Sequence, residues 1–103
     1  AAVRTAQQNV LNNGEARRIE VRKGVLDDIP QQPFDLILIN IIADVILSLT
    51  GSIRNYTHGN TRIILSGIIK DRRDEVVAAW EAEGFRLMEE EKMGEWVALA
   101  FHA

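Results

Sequence analysis

Three stretches of the chain show no alternation between apolar and polar positions. Residues 35–39 run Asp35-Leu36-Ile37-Leu38-Ile39, and residues 62–66 hold Ile63, Ile64 and Leu65 in succession. Residues 96–101, Trp96-Val97-Ala98-Leu99-Ala100-Phe101, are again nearly all apolar. Uninterrupted runs of this kind suit strands covered on both faces, as in a parallel sheet. Two other stretches alternate. Ile19-Glu20-Val21-Arg22 does so, and in residues 85–90 Phe85, Leu87 and Glu89 interleave with Arg86, Met88 and Glu90. Alternation marks a strand with one wet face. The pattern predicts that 35–39, 62–66 and 96–101 lie centrally, with 19–22 and 85–90 at the edges.

Helical spacing fills the intervals. Val3, Ala6 and Val10 predict a helix already under way at the first residue and stopped by Asn13-Gly14. Ile42, Val45, Ile46, Leu49 and Ile53 predict a second helix. Asp71 is placed to cap a third, with Val76, Val77 and Trp80 inward and Gly84 as its stop. Residues 24–33 read as a loop, Gly59-Asn60 as a turn, and Lys92 to Glu95 as a hairpin connection. The order is helix, strand, strand, helix, strand, helix, strand, strand. It predicts an α/β layered fold with a mostly parallel sheet. A chain of 103 residues forms at most one small domain.

Composition narrows the functional classes. A net charge of -3 argues against a dedicated nucleic-acid binder, and direct contact with nucleic acid is not expected. Basic residues do gather at Arg17, Arg18, Arg22 and Lys23, and at Lys70, Arg72 and Arg73. Acidic neighbours interrupt both groups, which reads as a solvated face. The absence of cysteine excludes disulfides and thiol chemistry. Nothing reads as a signal peptide or a membrane span, so a cytoplasmic protein with no membrane partner is expected.

Open α/β sheets bind ligands at the carboxyl ends of their strands. Strand 35–39 runs out into Asn40-Ile41-Ile42-Ala43-Asp44. A carboxamide leaving a buried strand needs partners for its polar atoms. Asn40 either serves a ligand there or caps the following helix, and position alone weighs the two equally. Ser66-Gly67 reads as a tight turn with a helix cap. His58 and His102 lack ligand-like or triad spacing and are expected at the surface. Glu89, Glu90, Glu91 and Glu95 form an acidic patch, better explained as edge-strand charges than as a metal site; no metal is expected. Trp80 reads as core, while Trp96 suits either packing or a pocket wall. The seven glycines never fall within two residues of one another, so there is no glycine-rich phosphate loop.

Four stretches, in this order, carry a resemblance: Ala6-Gln7-Gln8-Asn9-Val10-Leu11-Asn12-Asn13-Gly14, Pro33 through Asp44, Ile64-Leu65-Ser66-Gly67-Ile68, and Gly94-Glu95-Trp96-Val97-Ala98-Leu99. Together they resemble the methyltransferases of the bacterial ribosomal protein L-eleven type, the PrmA family. The resemblance implies a Rossmann-like class I methyltransferase sheet in strand order 3-2-1-4-5-7-6, mostly parallel with a C-terminal antiparallel hairpin. Residues 19–22, 35–39, 62–66, 85–90 and 96–101 then become strands 3, 4, 5, 6 and 7. Residues 1–103 would be the C-terminal part of that domain. Strands 1 and 2, the glycine-rich loop and the N-terminal substrate-recognition domain would be missing. On this expectation strand 19–22 has no neighbour in its family place, residues 1–24 are poorly anchored, rearranged or paired with another chain, and the unpaired edges allow self-association.

The implied activity is S-adenosylmethionine-dependent methylation of lysine and amino-terminal nitrogens of a ribosomal protein, with the fragment alone inactive. Asn40 would be the catalytic residue, holding the target nitrogen and bordering the cofactor. Val25 and Leu26 would contact its adenine, and Ile41 and Trp96 would join Asn40 in binding substrate. Another nitrogen substrate, a nucleic-acid base or glutamine amide, is a second reading. It is weakened because Ile41-Ile42-Ala43 offers no ring to stack on a base. A non-catalytic interaction module on a decayed methyltransferase scaffold is the third.

Overall fold

Residues 17–22 and 29–103 are described in the computed structural model, and the predicted first helix lies outside them. Five strands form one sheet: β1 (Arg18–Val21), β2 (Leu36–Asn40), β3 (Arg62–Ile69), β4 (Arg86–Met93) and β5 (Trp96–His102), in the order β1-β2-β3-β5-β4. β1, β2 and β3 are parallel, and β5 runs antiparallel to both its neighbours. The alternating strands take the edges and the unbroken apolar strands the centre, as the pattern predicts. Two helices, α1 (Ala43–Leu49) and α2 (Arg73–Ala82), follow β2 and β3.

Both helices pack on one face of the sheet. Ile46 and Leu49 of α1, with Val76, Val77 and Trp80 of α2, share a core with Ile37, Ile39, Ile63, Leu65, Leu99 and Phe101. The opposite face buries Leu36, Ile64, Ala98 and Ala100, with Leu38 against them. A strand buried on both faces cannot alternate, which is why β2 and the first half of β3 read as continuous apolar runs. Each such side chain contributes roughly 1.5–3 kcal/mol through burial.

Four expectations are corrected. Strand 19–22 does have a neighbour: β1 pairs with β2 in parallel register, from Arg18 opposite Leu36 to Val21 opposite Ile39. The inward side of β2 would otherwise leave backbone groups unpaired in an apolar setting, and β1 meets that need while adding the buried Val21. The helix expected to reach Ile53 ends at Leu49, and Ile53–Tyr56 form a separate 3-10 turn. Here the hydroxyls of Ser48 and Thr50 bond back to the carbonyls of Val45 (2.6 Å) and Ile46 (3.3 Å), competing with continuation of the helix. Asp71 is not a cap. It lies in a 3-10 turn, Lys70–Arg72, and α2 begins at Arg73 without a side-chain cap. Finally, β3 does not turn at Ser66-Gly67 but continues through a bulge to Ile69.

Arg54 ties the 3-10 turn Ile53–Tyr56 to the end of α2. Its guanidinium donates to the carbonyl of Glu83 at 3.2 and 2.6 Å and lies 4.3 Å over the Phe85 ring. It also fills the space a side chain at residue 84 would need, 2.6 Å from the ideal Cβ, and Gly84 has φ +91. The predicted glycine stop is therefore required twice over, by backbone conformation and by the cation beside it.

A polar clip holds the amino ends of the parallel strands. Asp35 accepts from the backbone N–H of Arg17 (2.7 Å) and contacts Nε2 of His58 (2.6 Å). The backbone N–H of Asn60 donates to His58 Nδ1, so Nε2 carries the proton that faces Asp35. The Arg17 N–H, and then His58, hold the Asp35 carboxyl below its usual range. Because the folded-state value is depressed, the stabilisation is present above the unfolded value near 3.9 and is lost as pH falls below it. We predict that Asp35→Asn lowers stability by roughly 1 kcal/mol at neutral pH. The gap between variant and parent should shrink below about pH 4, as read by urea denaturation across pH.

Candidate functional site

The carboxyl ends of β2 and β3 lie side by side, with Asn40 in register opposite Ser66. Asn40 is exposed, and its side chain makes no hydrogen bond within the described residues. It does not cap α1, whose N-cap position is Ile42. Of the two readings open from sequence, the capping one is thereby removed.

The bulge in β3 sits immediately beside it. Gly67 adopts φ +81, and an ideal Cβ there would lie 3.1 Å from Asn40 Oδ1 and 3.3 Å from the Ile41 carbonyl oxygen. Only glycine meets both conditions without strain. The two motifs that sequence reading treated separately, Asn40-Ile41-Ile42-Ala43-Asp44 and Leu65-Ser66-Gly67-Ile68, are thus one site. Gly67 is the point of contact.

Beyond Gly67 lies a depression of about 190 Å³, lined by Ile42, Ala43, Asp44, Gly67, Ile69, Arg72 and Trp96. Trp96 arrives through the β4–β5 hairpin. Gly94, with φ +63, occupies the first position of the two-residue turn, and Trp96 pairs with Met93 on one side and Ile69 on the other. Its side chain stays half exposed (50 %), and Ile42 (62 %) and Ile69 (40 %) are likewise open. Trp96 therefore forms part of a rim and is not core, whereas Trp80 is fully buried against Phe85 and Phe101.

The polar wall of the depression is ionic. Arg72 reaches Asp44 at 2.8 Å and Glu75 at 2.7 Å, linking the first turn of α1 to that of α2. Hydrogen bonds to Glu75 and then Asp44 raise the guanidinium's already high pKa further. Sequence reading placed Asp44 at the end of the Asn40 motif and Arg72 in a basic group read as a solvated face, and gave neither a role in the site.

The remaining charged candidates are satisfied elsewhere. Arg73 forks onto Glu90 at 3.1 and 3.0 Å and touches Asp74 at 2.8 Å, while Lys70 meets Glu95 at 3.5 Å. The acidic patch is therefore partly neutralised. No group of three His, Asp or Glu among the described residues could hold a metal. His58 belongs to the clip at the opposite end of the sheet, and His102 contacts the Ala103 carbonyl. Val25 and Leu26 lie outside the described residues.

The family model described as ribosomal protein L11 methyltransferase (PrmA) matches residues 1–103. The chain belongs to this family. A ribosomal protein L11 methyltransferase of Ruminiclostridium cellulolyticum is 41% identical over 97% of the chain, and one of Acetivibrio thermocellus is 40% identical over 95%. The chain spans 32% and 31% of their lengths, about a third of each. Among solved structures, the ribosomal protein L11 methylase of Lactobacillus delbrueckii subsp. bulgaricus superposes with a TM-score of 0.71 at 26% identity, over 77% of this chain and 40% of that one. A TehB-like SAM-dependent methyltransferase of Corynebacterium glutamicum shares the fold, with a TM-score of 0.59 at 16% identity over 78% of this chain and 53% of that one. The fold is thus the Rossmann-like methyltransferase sheet, mostly parallel with a C-terminal antiparallel hairpin. Among the described residues no helix is long and apolar enough to cross a membrane.

Gly67 gives the site a direct test. Gly67→Ala must strain a left-handed backbone and push against Asn40, which should cost roughly 1–2 kcal/mol in urea denaturation. Ser66→Ala, one residue away, should cost less than about 0.5 kcal/mol.

Proposed function

We propose that this chain forms the substrate-presenting part of an S-adenosylmethionine-dependent protein N-methyltransferase. Its targets are lysine and amino-terminal nitrogens of a ribosomal protein in the cytoplasm. The observation that carries this reading is the exposed carboxamide of Asn40, unbonded among the described residues, at the carboxyl end of a buried central strand and beside a glycine whose replacement would be strained. The names of the relatives point to the same substrate.

Asn40 suits the acceptor role chemically. Its Oδ1 can accept from an N–H of the target nitrogen, as can a neighbouring backbone carbonyl, and two acceptors fix the direction of the remaining lone pair. Holding the nitrogen in line is the main service such a site provides, since orientation alone supplies large accelerations. Ile41 and Trp96 border the approach. Neither Asn40 nor a carbonyl deprotonates an ammonium group, so a water or a separate base must take that proton.

S-adenosylmethionine, when bound, supplies an activated methyl group. The depression beside Gly67 does not hold it by itself: at about 190 Å³ it is smaller than the roughly 300–1,000 Å³ of pockets that enclose ligands of that class. The adenine contacts assigned to Val25 and Leu26 would add one wall, and a glycine-rich loop does not occur in this sequence. The chain alone is accordingly proposed to be inactive. The outer edges of β1 and β4 are the places where a further strand, or a second copy, would add to the sheet.

Two measurements test this. In the longer protein that contains this chain, Asn40→Ala should lower kcat for transfer to ribosomal protein L11 by about 100-fold, with its thermal unfolding unchanged. Undiminished turnover would refute the role. Titration calorimetry of the 103-residue chain with S-adenosylmethionine should show no heat of binding.

A further inference from the structure

Only five large apolar side chains of the described residues stand open to solvent: Ile42, Ile69, Met88, Met93 and Trp96. Three of them line the depression beside Gly67, and Met93 pairs across the hairpin with Trp96. Open apolar groups scattered singly need no explanation, whereas their convergence on one rim marks a contact surface.

The charge at this rim has a definite sign. Arg72 is shared by Asp44 and Glu75, so one guanidinium stands against two carboxylates and the group carries one net negative charge. Arg72 contacts Asp44 through Oδ1, and the Asp44 side chain is 71% exposed. A carboxylate retains acceptor sites beyond one such contact. The matching ligand has an apolar stem and a cationic tip. A volume of about 190 Å³ suits one side chain.

From this we infer that the depression between Asp44 and Trp96 is a docking subsite for a lysine or arginine side chain of the protein partner, distinct from the nitrogen that is methylated. The stem would lie against Ile42, Ile69 and Trp96, the charge at Asp44. The distinction follows from the electrostatics. A carboxylate favours the charged form of a neighbouring amine, and a protonated amine has no lone pair to accept a methyl group. Asp44 therefore suits a basic side chain that anchors the partner, while Asn40 serves the reacting nitrogen. The inference rests on the proposed function only for the identity of the partner; the chemistry of the subsite stands on its own residues.

Trp96 offers a readout. The chain has two tryptophans, and the other, Trp80, is fully buried, so acrylamide quenching reports on Trp96. The probes are acetyl-Gly-Lys-Gly-amide and the same peptide with norleucine or glutamate in place of lysine. The lysine peptide should shield Trp96 and bind about tenfold more tightly than the other two, the size of one charge-assisted contact. Asp44→Asn should bring lysine down to the norleucine level, and raising the salt concentration should do the same. Ile42→Ser, at an exposed position that folding tolerates, should weaken lysine and norleucine alike. Asn40→Ala should leave peptide binding unchanged, which separates this subsite from the methyl-accepting one. Equal binding of lysine and norleucine, preference for glutamate, or no shielding by any peptide would overturn the inference. Loss of the proposed methyl transfer with peptide selectivity intact would sink only the functional reading.

Discussion

The architecture depends on one constraint: a strand buried on both faces must have both its edges hydrogen-bonded. β2 is such a strand, with Leu36, Ile37 and Ile39 all excluded from water. Water cannot reach in to satisfy its backbone, and an unpaired buried peptide group costs about as much as a lost hydrogen bond. β3 therefore lies along one edge and β1 along the other. Everything at the carboxyl end of the sheet inherits its position from that arrangement. Asn40 is fixed opposite Ser66, the bulge brings Gly67 beneath the carboxamide, and α1 leaves from a defined point.

The two ends of the sheet divide the labour. At the amino end, Asp35, His58 and the N–H of Arg17 form a satisfied set in which both ring nitrogens of His58 are engaged. At the carboxyl end the Asn40 carboxamide has no hydrogen-bond partner among the described residues, and three apolar side chains are left open. Polar groups whose partners are all supplied by the protein stabilise. Those left unsupplied are free to meet something else. That contrast, more than any single residue type, separates the structural clip from the candidate site.

Much of this was legible in the sequence because burial leaves a direct mark on it. Unbroken apolar runs located the central strands, alternation located the edges, and the resemblance supplied the order of the last three strands and pointed to Asn40 as a candidate. What could not be read depended on contacts between residues distant in sequence. Gly67 looked like a turn because a glycine after a strand usually is one; that it is a bulge follows from the pairing with β5, whose register shifts between Leu65 and Ile68. The pairing of β1 with β2 was missed because the expected family order placed two strands between them, and nothing in Ile19-Glu20-Val21-Arg22 names a partner. The early end of α1 lay in the hydroxyls of Ser48 and Thr50, whose weak helix preference was outweighed in the reading by apolar spacing. Asp44 stood at the end of the Asn40 motif and Arg72 in a basic group, but nothing local tied the one to the other.

The placement of β5 has a consequence for how the molecule comes into being. This strand is last in sequence yet lies between β3 and β4, and it carries Trp96 to the rim. As a chain emerges from the ribosome, β1, β2, β3 and the helices can associate before residues 96–102 appear. Until those residues appear, β3 keeps one edge exposed, β4 has nothing to pair with, and the rim lacks its aromatic wall. The rim and the middle of the sheet therefore both depend on residues 96–102.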